Sequence, residues 1–401
     1  MKRRILIFIL SGVSVIMIAQ KPFDYILKVK ALNDYGKYDE SIKVTSEGLT
    51  KINNEYRLFL LRAEAFIGNG NLDEALKDFQ SANSLVKSSG EYGISKVLAR
   101  SGDIQGSLIH LGNSLNSSFK VSEKEVFLEP SFSRIENSAG WRQFWKAEHY
   151  TIMEEKLSEI EYNLSVGRTE DAKNNLEEMN PDNNNSSEFL YAKAIVDLSS
   201  GKSSDCISTL QKLQGDDRVN EKYLRLMAKA QYSGGNASGA SETYSALISQ
   251  GIADANLFLL RAECYSKTGE NEKALKDLTV FLDLYPDNSK ALRLAGKTVS
   301  SSGDNLKALE FFSRNLKIHP DDPECYIDRA NSYFVSATWE NAVSDYSMAL
   351  DIQPSNSDTW LNKGIALVNQ GKKEDACHDF NVALSLGNKK AANYISKDCI
   401  K

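Results

Sequence analysis

The chain has 401 residues, 41% hydrophobic and 25% charged, an ordinary composition for a soluble globular protein. Its formal net charge of −6 argues against a chain-wide basic face of the kind nucleic-acid binders carry. The length suits two or three compact domains or one long array of repeats.

The first element is a leader. Met1-Lys2-Arg3-Arg4 precedes the apolar run "ILIFILSGVSVIMIA" (Ile5–Ala19), and Gln20-Lys21-Pro22 follows. A short basic segment, an apolar stretch and a small residue before a polar turn read as a secretory signal peptide over 1–19. The run is shorter than the roughly 20 residues a spanning helix needs, so cleavage after Ala19, leaving no membrane span, is expected, with an uncleaved membrane anchor as the alternative. The "IA-Q" boundary resembles that of exported bacterial proteins of the Bacteroidetes group. Export to the periplasm or cell envelope would place the five cysteines where disulfides form. An odd count leaves at least one unpaired within the monomer.

Beyond the leader the chain repeats itself. "LLRAEAFIGNGNLDEALKDF" (Leu60–Phe79) and "LLRAECYSKTGENEKALKDL" (Leu259–Leu278) are nearly the same stretch written twice. Each reads as a helix, a Gly-containing turn and a second helix, set in a 34-residue frame. The N-terminal array spans 22–121. Its frames start at 22 and 56, with Gly36 and Gly70 at position 15 and Ser41 and Ala75 at position 20. A third unit at 88–121 carries Gly102 and Ser107 in those roles.

A junction over 122–152 then breaks the phase. "EPSFSRI" and "WRQFW" resemble a segment that closes repeat arrays in bacterial proteins of this kind. Phe132, Trp141, Phe144 and Trp145 read as core packing of that closure, with a ligand-stacking cluster as the alternative. The apolar spacing of Met153, Leu157, Ile160 and Leu164 predicts one long helix from Trp141 to Val166.

Seven units follow over 153–390, starting at 153, 187, 221, 255, 289, 323 and 357. Position 20 is small throughout: Ala172, Cys206, Ala240, Ala274, Ala308, Ala342 and Ala376. Position 8 is small in all but the first, and position 24 is large and apolar, from Leu176 to Phe380. Small residues let the two helices of a hairpin approach, and the large one fills the space beside their crossing. Position 15 is Gly except at Ala337. Such a residue ends helix A in the left-handed conformation. Pro286, Pro320 and Pro354 stop helix B in three successive units. In the unit at 153, Lys156 and Glu159 stand where larger apolar residues are usual. Residues 391–401 read as a capping helix.

This pattern resembles the tetratricopeptide repeat. The resemblance implies an all-α, right-handed superhelix (an α-solenoid) of about ten hairpins in two arrays. In that family helix A lines the concave groove through positions 2, 5, 9, 12 and 13. Here those positions give Lys222, Arg225, Lys229 and Tyr232, then Lys290, Arg293 and Lys297, then Ile327, Asn331, Phe334 and Val335. The groove so implied is basic at one end and apolar at the other, with its cations exposed and of little weight for stability. The Asn residues of the family's carboxylate-clamp arrangement are missing beside the Lys. The closing "ACHDFNVALSLGNKKAANYISKDC" resembles the ending of exported repeat proteins that carry a Cys pair, which implies a Cys377–Cys399 disulfide. Cys206, Cys264 and Cys325 fall where the repeat has small buried residues.

Catalytic signatures are missing from the sequence. His110, His149, His319 and His378 are scattered, outside any metal-ligand spacing. Gly201-Lys202-Ser203 lacks the Gly five residues earlier that a phosphate loop needs, where Val196 stands. The expectation is therefore a non-enzyme without cofactor or metal. It would be an exported interaction scaffold that binds a protein or peptide partner, acidic in part, within an envelope assembly. A glycan or small-molecule binder using the aromatic junction is an alternative, as is an accessory subunit of an envelope enzyme or secretion machine.

Overall fold

A computed structural model describes residues 22–179, 186–213 and 220–399. The signal-peptide reading of 1–19 lies outside the described residues. Among them the chain is all α, with no strand. The helices follow one another as α1 (Pro22–Asp34), α2 (Tyr38–Lys51), α3 (Tyr56–Gly68), α4 (Leu72–Leu85), α5 (Glu91–Ser101) and α6 (Ile104–Leu115). Then come α7 (Glu123–Leu128), a 3-10 turn at Pro130–Arg134 and α8 (Ala139–Phe144). Seven further pairs are α9 (Ile152–Ser165) with α10 (Thr169–Glu178), α11 (Ser187–Ser199) with α12 (Ser203–Leu213), and α13 (Glu221–Ser233) with α14 (Ala237–Ser249). After them stand α15 (Asn256–Thr268) with α16 (Asn271–Leu284), and α17 (Ser289–Ser301) with α18 (Asn305–Ile318). The last are α19 (Pro323–Val335) with α20 (Trp339–Ile352), α21 (Ser357–Asn369) with α22 (Lys373–Ser385), and the short α23 (Ala391–Tyr394). The hairpins fall on the frames read from the sequence.

The chain forms two compact units, divided between Gly93 and Ile94. In the first, Ile26, Val29, Leu58, Ala63, Ala75 and Phe79 are buried. The second holds a line of small clusters, one per hairpin and its neighbour, as expected where each unit buries its apolar face on the next.

Frame positions 8, 15, 20 and 24 do what their side chains allow. The position-20 residues from Ala172 to Ala376 are fully buried. In the hairpins at 289 and 357, position 8 is Gly because a Cβ at Gly296 or Gly364 would run into the ring of Phe312 or Phe380. The α5–α6 hairpin solves the same crossing with two serines. Ser95 Oγ donates to the Ser107 carbonyl at 2.8 Å, and Ser107 Oγ donates to the Ser95 carbonyl at 3.0 Å. Both hydroxyls are buried and satisfied, so the polar pair packs without the penalty of an unmade bond. At position 15 the backbone is left-handed, with φ of +81° at Gly269 and +57° at Ala337.

A recurrent ion pair ties helix A to helix B. Arg62 reaches Asp78, Arg261 reaches Asp277 and Arg329 reaches Asp345, each through two bonds of 2.6–2.8 Å. All three stand at positions 7 and 23 of their frames. The remaining guanidinium nitrogen donates to a serine of the preceding hairpin: Ser46, Ser245 or Ser313. Lys363 and Asp379 hold the same places at 3.2 Å. In the hairpin at 153 these positions are Glu159 and Asn175, joined at 2.9 Å, so position 7 is a polar, paired place there as in these other hairpins, and not the apolar one expected at Glu159.

One expectation fails. The segment Trp141–Val166 is two helices. The first ends at Phe144, and a new one starts at Ile152 behind a capping box in which Thr151 and Glu154 satisfy each other's backbone N–H groups. That box gives the backbone a favourable place to begin again, which apolar periodicity alone does not register. At the end of the chain, Cys377 and Cys399 are bonded, with Cα atoms 5.6 Å apart, fastening the turn after α23 to α22. Among the described residues no helix is long and apolar enough to cross a membrane.

Candidate functional site

The helix-A face of the second unit carries two adjoining cavities. The first, about 480 Å³, is lined mainly by Leu164, Tyr191, Ile195, Leu198 and Leu226, with Glu161 and Lys229. These come from α9, α11 and α13. The second, about 370 Å³, is lined by Arg225, Lys229, Tyr232, Tyr244, Leu260 and Glu263, from α13 to α15. Lys229 and Ser233, one turn apart on α13, belong to both.

The wall chemistry is apolar and aromatic with charged edges. Burial, and after it the nearby Glu161, raises the pKa of the Tyr191 phenol. Burial likewise pushes Tyr244 up to about 12, with Cys264 and Glu263 adding to it. These rings are therefore neutral and offer apolar faces. Lys222 Nζ sits 4.0 Å over the Tyr191 ring, and Lys267 Nζ sits 4.7 Å over Tyr232. Ammonium groups over aromatic faces stiffen both side chains.

The cations expected in the groove meet different fates. Lys222 pairs with Glu161 at 2.9 Å. Arg225 bonds both Glu221 and Asp254 at 2.8 Å. Lys290 pairs with Glu263 at 2.5 Å. Arg293 faces three carboxylates: Asp328 at 2.9 Å, Glu324 at 3.5 Å and Asp322 at 3.9 Å. Lys297 lies 3.6 Å from Asp328. Lys229 has no carboxylate within ion-pair distance among the described residues, and it is exposed. The expectation that Arg225 and Arg293 are solvated and neutral to stability does not hold. Carboxylates enclose both, from α13 itself and the loop before α15 for Arg225 and from α19 and its N-cap for Arg293, and Arg293 is only 24% exposed.

The structure brings Arg225, Lys229 and Tyr232 together and leaves the apolar end apart. Ile327 packs against the buried clusters of its own hairpin. Asn331 accepts a hydrogen bond from the Tyr346 hydroxyl at 2.6 Å. Phe334 lies edge-on to Trp339 at 4.8 Å, and Val335 is exposed. Glu161, Leu164, Tyr191, Ile195 and Leu198 are not among the groove residues expected from the sequence. They occupy positions 5, 9 and 12 of the units at 153 and 187, so the same frame map applied one step earlier would have found them.

The junction aromatics are spent on each other. Phe132 and Trp141 are buried. Trp145 stacks on Phe127 at 4.8 Å and lies edge-on to Phe144 and His149 at 5.4 Å. His149 stacks on Phe144 at 4.0 Å. Phe132 and Trp141 thus pack the closure, while Phe127 is 54% exposed and Phe144, Trp145 and His149 are half-buried.

Nucleophile chemistry is disfavoured at the thiols. Cys206, Cys264 and Cys325 are buried, and burial pushes each up to about 11, so they stay protonated at neutral pH. Among the described residues no group of His, Cys, Asp and Glu is placed to hold a metal ion.

Residues 257–288 match the family model of the tetratricopeptide repeat. No curated protein sequence matches the chain. Among solved structures, a tetratricopeptide repeat protein from Parabacteroides merdae ATCC 43184 is 18% identical, covering 61% of this chain and 97% of its own, with a TM-score of 0.47. The complex Cut9-Hcn1 of the APC/C is 11% identical over 95% of this chain and 97% of the other, with a TM-score of 0.48. YrrB, described as a TPR protein with an unusual peptide-binding site, is 14% identical over 47% and 97%, with a TM-score of 0.39. Residues 257–288 thus carry a tetratricopeptide repeat, and the hairpins on either side repeat its frame.

Proposed function

We propose that the protein is an exported, non-catalytic scaffold that binds a polypeptide partner on the helix-A face of its second unit, within an envelope assembly. The observation that carries the reading is the pair of adjoining cavities on α9, α11 and α13 to α15, whose walls set Glu161, Arg225, Lys229 and Glu263 among apolar and aromatic side chains. Concave sites with apolar walls and a few convergent polar groups are where ligands bind. Export rests on the leader over 1–19 and on the Cys377–Cys399 bond, which suits an oxidising compartment.

A photo-crosslinking residue at Ser233, compared with one at the exposed Lys276 on α16, tests the binding face in the native cell. A discrete protein adduct from Ser233 and none from Lys276 is expected. Equal adducts from both, or none from Ser233, would overturn the reading. Export is checked by sequencing the N-terminus after cell fractionation: a start at or near Gln20 supports it, and an intact Met1 in the cytosol refutes it.

A further inference from the structure

We infer that the two cavities and Lys229 form one recognition site for an extended acidic polypeptide segment. One apolar side chain enters each cavity, and an aspartate or glutamate between them meets Lys229 Nζ. This rests on the polypeptide-binding reading above and names the chemistry of the ligand.

The first argument is charge. Around the cavities Lys222 is spent on Glu161, Lys290 on Glu263, and Arg225 on Glu221 and Asp254. Both carboxylates that line the cavities thus have a cation of their own. Lys229 alone of these cations keeps an ammonium with no carboxylate at ion-pair distance among the described residues, and it stands on the shared rim. An incoming anion completes that set, whereas an incoming cation would compete for carboxylates already paired. A charge-assisted hydrogen bond to an unspent ammonium is the strong kind.

The second argument is order along the ligand. A fatty acid carries its carboxylate at one end and would fill one cavity from the rim. Two apolar cavities on either side of one ammonium ask for an anion in the middle of the ligand, with apolar groups on both flanks. A polypeptide supplies that arrangement without special chemistry.

The third argument is spacing. Packed helices lie roughly 10 Å apart, and the cavities are offset by about one helix along the array. An extended chain advances about 3.3 Å per residue, and alternate side chains share a face. Apolar residues at i and i+4, with an acidic residue at i+2, put all three side chains on one face. They span about 13 Å. The predicted motif is apolar, any, acidic, any, apolar.

The experiment selects peptides from a random displayed library on the immobilised full chain, then measures the best by fluorescence anisotropy. The enriched peptides should carry the motif. Lys229→Glu should weaken the selected peptide by about tenfold or more. Ser233→Trp, which fills the shared rim, should do the same. Changing the peptide's acidic residue to its amide should weaken binding to wild type but not further weaken binding to Lys229→Met. Lys276→Glu should have no effect. Lys229 and Ser233 are exposed, so the variants should fold, which circular dichroism checks. Enriched peptides that bind Lys229→Glu and Ser233→Trp like wild type would overturn this site and leave polypeptide binding standing. A motif lacking the acidic position would overturn the charge assignment. If no peptide is enriched above a blank surface, the underlying reading falls with it.

Discussion

The triplets Lys222/Arg225/Lys229 and Lys290/Arg293/Lys297 occupy the same frame positions, two hairpins apart, yet they end in different states. The second is closed. Arg293 is held by Asp328, Glu324 and Asp322, and Lys297 shares Asp328. The first stays open at one member, because the loop before α15 offers Asp254 to Arg225, and no carboxylate among the described residues reaches Lys229. The frame decides where a side chain points. The carboxylates packed around it decide whether its charge is available to a partner.

Reversal of the closed cation should show the largest effect. Arg293→Glu sets a fourth carboxylate among Asp322, Glu324 and Asp328, the last with a side chain only 10% exposed. A loss of about 3–5 kcal/mol is expected, as for removing one partner of a buried pair. Hydrogen exchange of α17 and α19 should rise locally, since repeat arrays open by neighbouring units. A cost no greater than that of Arg225→Glu would undo the contrast.

The ion pair between positions 7 and 23 extends the same lesson to partners within a hairpin. Arg261→Ala strands Asp277, whose side chain is 5% exposed, and should cost about 3 kcal/mol in urea unfolding. Arg225→Glu should cost less, about 1–2 kcal/mol, because Glu221 and Asp254 are both better solvated. Ranking the three variants by midpoint denaturant tests whether partner burial, rather than frame position, sets the scale.

Position 15 shows the opposite limit, where the frame alone decides. Ala337 takes φ of +57°, the conformation its glycine counterparts adopt, although a Cβ disfavours it. Ala337→Gly should therefore stabilise the α19–α20 hairpin by about 1 kcal/mol or less, read as slower exchange there. No gain would mean that the turn is held by its neighbours rather than by its own backbone preference.

The fold was legible for this reason. Small residues at 8 and 20, a left-handed residue at 15 and a large apolar one at 24 act within a hairpin, inside one reading window. The α8–α9 break was missed because its cause is a side-chain cap at Thr151 and Glu154, not a change in apolar period. The Arg–Asp pair was printed in both twin segments, as Arg62 with Asp78 and Arg261 with Asp277, yet sixteen residues separate the partners. The candidate site was legible by face but not by charge. Positions 5, 9 and 12 located Arg225, Lys229 and Tyr232. Only the packed hairpins show which cations Glu161, Asp254, Glu263 and Asp328 have already taken.

The smallest expected effect on folding belongs to Lys229, and its smallness is the point. A cation held for stability leaves a carboxylate stranded when it is removed, as Asp328 would be without Arg293. Lys229 has no such partner among the described residues and lies on an exposed helix face. Lys229→Ala should therefore change unfolding free energy by no more than about 0.5 kcal/mol, the usual range for surface substitutions. Alanine's better helix propensity works slightly in favour of the variant. The same change removes the one ammonium on the shared rim of both cavities, so binding should suffer where folding does not. Unfolding curves for Lys229→Ala and Arg293→Ala, measured side by side, decide the matter. If Lys229→Ala costs as much as Arg293→Ala, the ammonium is a structural cation like its counterpart and the open member of the triplet is closed after all.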